Sequence, residues 1–232
     1  MDIRGVQKIS FIDFPGEICL TIFVGGCNLR CRYCHNKDLV LNPTFLPPVP
    51  EVEIFKFLAI KGPLLDGICI SGGEPTLQED LVDFTIRAKR KKFKVKLDTN
   101  GTSPRKIDIL LQKELLDYIA VDIKGPPHKY PLITGKEGYY STIAETINLL
   151  RSSTLDYEFR TTVVPGLLEE KDVLEIAREL DGCRKYVLQQ FHPSKGLIDS
   201  SLNSVKTFNR ERAAKLANKC RDYIKDVQLR GF

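Results

Sequence analysis

Six short apolar, β-rich runs alternate with segments of helical period along this 232-residue chain, and that alternation confines it to parallel-strand α/β architectures. Strands are expected at 18–24, 67–70, 94–97, 118–121, 157–164 and 186–191. Helices are expected at 51–59, 78–91, 103–116, 139–150, 169–180 and 205–224, the third opened by Ser103 as N-cap and Pro104 in its first turn. The strand runs are almost continuously apolar, as they are when helices or a barrel interior cover both faces. The pattern by itself leaves two choices, an open doubly wound sheet or a full or partial barrel. No repeat, low-complexity run or linker interrupts it, so one domain over 1–232 is expected. The proline-rich segment 42–50 reads as a rigid loop, and 227–232 as a short extra strand.

Charge and length exclude several classes. The net charge of +5 is mild and does not demand nucleic acid as a partner. The uncharged stretch 18–29 is too short for a bilayer, which needs ~20 residues, and residues 1–5 lack the apolar region of a signal peptide. A cytoplasmic protein without membrane contact is expected. Seven cysteines, an odd number, then argue against a disulfide framework. Cys19 and Cys69 fall within apolar strands and Cys220 on the apolar side of the last helix, which reads as buried thiols. Seven basic residues in 87–96 coincide with a helix C-terminus, where the dipole favours cations.

The chemistry concentrates where strands end. Cys27-x3-Cys31-x2-Cys34 follows the first strand, three thiolates in one short loop. Structural zinc usually takes four protein ligands in two pairs, and no second pair is present. Thiolates suit iron–sulfur clusters, and a three-Cys cubane leaves one iron open. His35 adjoins Cys34 and would strain to complete a zinc site. Ser71-Gly72-Gly73-Glu74-Pro75 follows the second strand, where glycines admit a ligand close to the backbone and Glu74 can accept from an ammonium group. Asp98-Thr99-Asn100-Gly101 and Asp122-Ile123-Lys124-Gly125 end the third and fourth strands; two carboxylates and a lysine there can balance a zwitterion and a small cation. Arg160 in the fifth strand needs an anionic partner if it points inward, and His192 follows the sixth. In parallel α/β folds the C-terminal rim is where sites form.

The Cys27-x3-Cys31-x2-Cys34 motif, with the aromatic Tyr33 before its last cysteine, resembles the signature of the radical S-adenosylmethionine (SAM) superfamily. Tyr33-Cys34-His35-Asn36 resembles the glycyl-radical-enzyme activating enzymes within it. Asp13-Phe14-Pro15-Gly16 is similar to a segment of those that serve anaerobic ribonucleotide reductase. The resemblance implies a partial (β/α)6 barrel, a [4Fe–4S] cluster on Cys27, Cys31 and Cys34, and SAM cleaved to a 5′-deoxyadenosyl radical that takes hydrogen from a partner's glycine. It implies cofactor contacts from Tyr33, Gly72, Gly73, Glu74, Lys124, Arg160 and His192. Asp98, Thr99 and Asp122 would border SAM and hold a monovalent cation. The partner would be a glycyl radical enzyme, most of all an anaerobic ribonucleotide reductase, with a flavodoxin- or ferredoxin-type electron donor. Three other readings stand beside this one: a pyruvate formate-lyase-type activase, a small-molecule enzyme like the 7-carboxy-7-deazaguanine synthases, and a non-enzymatic zinc-binding interaction module. Iron analysis separates the cysteines: Ala variants of Cys27, Cys31 or Cys34 should lose the cluster iron, whereas Cys183→Ala should retain it.

Overall fold

Each of the six apolar runs becomes a strand, and two further strands flank them. In the computed structural model, which describes residues 1–232, the first half of the chain forms β1 (Ile3–Ser10), β2 (Cys19–Val24), α1 (Lys37–Leu41), α2 (Glu51–Lys61), β3 (Gly67–Gly72), α3 (Leu81–Arg90), β4 (Lys94–Thr99), α4 (Pro104–Gln112) and β5 (Tyr118–Asp122). There follow α5 (Tyr130–Thr134), α6 (Tyr140–Arg151), β6 (Asp156–Val163), α7 (Glu170–Glu179), β7 (Lys185–Gln190), α8 (Arg210–Cys220) and β8 (Asp226–Arg230). No helix is long and apolar enough to cross a membrane.

The chain divides into two compact units. One comprises 1–28, 36–99 and 105–120; the other 29–35, 100–104 and 121–232. In the first unit β2, β3 and β4 run parallel, with Cys19, Gly67 and Lys94 level with one another. Here the strand order follows the chain without reversal. A doubly wound sheet would reverse order at its switch point, and no reversal occurs among β2, β3 and β4. Leu20, Ile22, Ile68, Ile70, Val95 and Leu97 are fully buried. Phe14, from the turn before β2, packs into a cluster with Cys19, Cys69, Tyr118 and Ala120. In the second unit β6, β7 and β8 are parallel, with Tyr186 opposite Phe159 and Val227. Helices α6, α7 and α8 bury Ile143, Ile147, Val173, Ile176 and Leu216 against the core.

The element boundaries differ from expectation for local reasons. The third expected helix ends at Gln112, not 116, because Glu114 turns the chain with φ of 52°. The second begins at Leu81, since Pro75–Leu77 form a separate 3₁₀ turn. The last begins at Arg210, because the Asn209 side chain caps it by accepting from the Arg212 N–H at 2.8 Å. Strand β1 was not expected. Its interior residues are only partly covered, so no apolar alternation marks it; only Ile3 and Ser10 at its ends are buried, and it pairs antiparallel with β2.

The weakly marked C-terminal strand is real, and an ion pair secures it. Glu158 on β6 is buried, and Arg230 on β8 grips it with both nitrogens at 2.8 and 2.9 Å, Lys185 standing 3.4 Å away. Burial would raise the Glu158 pKa, but Arg230 overcomes this and holds it below the usual value. Removing one partner strands the other's charge in the interior. Arg230→Met should therefore lower stability by about 2–3 kcal/mol in urea denaturation, less than a wholly unpaired charge because Lys185 remains.

Candidate active site

The first unit carries Cys27, Gly72, Gly73, Glu74, Asp98 and Thr99. Cys27 follows β2 through a Gly25-Gly26 turn that the GGE loop holds in place. Gly73 N–H donates to Val24 O and Glu74 N–H to Gly26 O, both at 2.8 Å. A Cβ on Gly73 would lie 1.9 Å from Gly26 O, and Gly72 takes φ of 114° with Val24 N 2.4 Å from where its Cβ would sit. Both positions therefore require glycine on account of the chain's own backbone, a reason that sequence reasoning, looking for a ligand, did not supply. Asn36, just past the last cysteine, donates from Nδ2 to Gly72 O at 3.0 Å. Glu74 is completely buried. Its Oε1 accepts from Thr76 N at 3.0 Å and from the hydroxyls of Thr76 and Thr99, both at 2.6 Å. The carboxylate thus fixes its own loop to the end of β4. Asp98 accepts from Ser71 Oγ at 3.3 Å and pairs with the buried Lys96.

The second unit carries Cys31, Tyr33, Cys34, Asp122, Lys124, Arg160 and His192. Its share of the cysteine loop is clamped by segments the sequence did not single out. Arg30 and Arg32 N–H donate to Thr134 O and Ile133 O at 2.7 and 3.0 Å, and Asp199 N–H to Arg32 O at 2.8 Å. Asp199 also takes the Arg32 guanidinium Nε at 2.7 Å. The signal available was Thr134-Gly135: Gly135 ends α5 with φ of 66°, and a Cβ there would lie 3.2 Å from the Arg30 Cβ. Tyr33 is buried in a cluster with Ile133, Val164, Leu167, Leu168 and Phe191, so one role is to anchor the loop between Cys31 and Cys34. His35 donates from Nε2 to the His192 carbonyl at 2.8 Å. The His192 ring itself is exposed.

Arg160 finds the anionic partner it requires. Its Nε meets Asp122 Oδ1 at 2.8 Å, while Lys124 Nζ meets Oδ2 at 3.0 Å. Burial would raise the Asp122 pKa, but Arg160 and Lys124 outweigh it and hold the carboxyl well below the usual range. Burial would likewise lower that of Lys124; Asp122 holds it above its ordinary value. Asp122 thus answers both cations, and Arg160 also interacts with the Glu158 carboxylate two residues before it on β6.

None of the seven cysteines is in a disulfide. Burial pushes Cys19, Cys69 and Cys183 up in pKa, and Cys220 up to about 12, which leaves them protonated and poor ligands. Cys27 and Cys34 are half-buried and Cys31 nearly buried. No three His, Cys, Asp or Glu side chains are grouped as a ready metal site. The fit to an iron–sulfur cluster rests on the donor chemistry, three soft ligands on one tethered loop.

Because the folded-state pKa of Asp122 is depressed, its contribution is full above the unfolded carboxylate pKa of about 4 and is lost as pH falls through the folded value. Asp122→Asn should cost about 1–3 kcal/mol in urea denaturation at neutral pH, with the gap to wild type constant down to about pH 5 and narrowing below about pH 4.

Comparison with known proteins places this geometry. Residues 21–180 match the Radical SAM superfamily. The chain is 35% identical to a Methanocaldococcus jannaschii protein provisionally named a glycyl-radical enzyme activating enzyme, over 98% of this chain and 95% of that one. It is 27% identical to the pyruvate formate-lyase-activating enzyme of Clostridium pasteurianum, over 97% of each. In fold it is similar to Streptococcus suis SuiB bound to S-adenosylmethionine, with TM-score 0.69, 13% identity, 89% of this chain and 48% of that one, so it spans about half of SuiB. The family implies SAM and a [4Fe–4S] cluster, for which the three cysteines are a suitable donor set. The chain is an enzyme of the radical SAM superfamily, similar along its whole length to the glycyl-radical-enzyme activating members.

Proposed function

We propose that the chain, acting as one radical SAM domain, installs a glycyl radical on a partner protein, and that the partner is an anaerobic ribonucleotide reductase. The observation that carries the activase reading is the end-to-end match, covering 98% of this chain, to a relative named for that activity. When bound, the [4Fe–4S] cluster supplies the electron for reductive cleavage of SAM, whose adenosyl fragment takes a hydrogen atom from the partner's glycine.

The residues divide the remaining work. Cys27, Cys31 and Cys34 hold the cluster, on a loop stiffened by Gly73, Asn36, Thr134 and Asp199. Backbone groups of Gly72 and Gly73, braced by Glu74, receive the SAM amino group. Lys124 and Arg160, held in place by Asp122, receive its carboxylate. Tyr33, Asp98, Thr99 and His192 are the remaining cofactor contacts. A dry site is required, because water would intercept the reactive fragment.

Two features favour the reductase as partner. The four cysteines outside the loop are scattered and buried, which provides no second cluster. The Asp13-Phe14-Pro15-Gly16 turn is integral to the first unit, with Phe14 buried and Asp13 accepting from Thr21 Oγ1 at 2.7 Å. A second reading, a pyruvate formate-lyase as partner, has the Clostridium relative in its favour. The electron comes from a flavodoxin or ferredoxin in the cytoplasm. Anaerobic incubation of the reduced enzyme with SAM and the reductase should give a glycyl-radical doublet in electron paramagnetic resonance that vanishes without SAM. A doublet that forms only on a pyruvate formate-lyase-like protein replaces the partner; none on either, or a colourless zinc protein after anaerobic purification, overturns the reading.

A further inference from the structure

Among the basic residues of 87–96, Lys96 alone points inward with its side chain 2% exposed. It lies on β4 two residues before Asp98, so the pleat sets both side chains on one face. The ammonium pairs with Asp98 Oδ1 and stands 3.8 Å from the sulfur of Cys69, its parallel partner on β3. Cys69 is held protonated by burial, so Asp98 is the anion that answers the lysine in this pair. An ammonium this deep is retained only if paired.

That pairing disagrees with the cation site the resemblance implies. The two carboxylates it would use are already answered by protein cations, and the Thr99 hydroxyl proton is committed to Glu74 at 2.6 Å. Asp98 has the Lys96 ammonium, and Asp122 has Arg160 and Lys124. A monovalent metal ion at Asp98 would have to displace an ammonium that cannot leave, because its stem is anchored in the strand. Lysine and a small monovalent cation carry the same charge, but the tethered one costs no binding from solution.

We propose that Lys96 supplies, as a built-in ammonium on Asp98, the positive charge that a bound monovalent cation would otherwise provide beside SAM, so that this chain binds SAM without one. The inference rests on the reading of the site as a SAM site and not on which protein is activated. Lys96 is a positioning residue: it acts through Asp98.

The test compares SAM affinity of the reconstituted enzyme in potassium and in tetramethylammonium chloride at equal ionic strength, together with thallium-205 resonance of the same protein without SAM. Wild type should bind SAM equally in both salts and show no thallium site. Lys96→Met should bind SAM about tenfold more weakly in tetramethylammonium, regain affinity in potassium, and broaden the thallium signal. The double variant Lys96→Met/Asp98→Asn, with no charge left to compensate, should show neither rescue nor thallium binding. A wild type whose SAM affinity falls when potassium is withdrawn overturns the proposal, as does a Lys96→Met variant that matches wild type in tetramethylammonium or stays weak in potassium. If Lys96→Met does not fold, the wild-type salt comparison and thallium titration decide alone. SAM binding that is indifferent to salt in an enzyme that activates no partner leaves this inference standing and removes the function.

Discussion

The structure is organised around a place where two backbones touch with no side chain between them. Gly73 lies so close to the Gly26 carbonyl that a single methyl group would overlap it, and two hydrogen bonds hold the turns together there. The strand-to-helix loop after β3 is thereby fixed to the stem that carries Cys27. Glu74 then extends the constraint to the end of β4 by binding Thr99. Three successive strand ends are located by backbone contact and one buried carboxylate, before any ligand enters.

Buried charge supplies the second layer of order. Asp122 with Arg160 and Lys124, Asp98 with Lys96, and Glu158 with Arg230 each hold ions away from most water, and each survives because its partners lie within hydrogen-bond reach. Such pairs add little net stability compared with apolar packing, but breaking one is expensive. They therefore confer exactness of placement more than strength. The apolar clusters around Phe14 and Tyr33 provide the strength.

Much of this was legible in the residues. Continuous apolar runs such as 67–70 and 118–121 gave strands, because burial on both faces leaves no other pattern, and the loop cysteines stood out by spacing. Arg160 was correctly expected to need an anion, though not that Asp122 would be it, because pairing across strands depends on register. The glycines of 72–73 were read as room for a ligand, whereas their immediate need is room for the backbone of Val24 and Gly26. The clamps from Ile133, Thr134 and Asp199 left only Gly135 as a signal, since two of them act through main-chain carbonyls, which every residue possesses. Strand β1 was missed because its residues are neither continuously apolar nor alternating. Lys96 was counted with a basic surface run, because charge alone does not reveal which face of a strand it occupies.

The inward lysine has a consequence for how the sheet assembles. Side chains on a strand alternate between faces, so a slip of β4 by one residue past β3 would turn Leu97 toward Cys69 and put Lys96 on the opposite face. Val95 and Leu97 are aliphatic like their neighbours and would tolerate the exchange. The ion pair would travel with the strand, Lys96 and Asp98 being two residues apart, but the slip would carry the ammonium away from Cys69 and Asp98 away from the Ser71 hydroxyl. A central strand of nearly interchangeable apolar residues thus carries one charged pair whose contacts to β3 distinguish the native alignment from its nearest competitor.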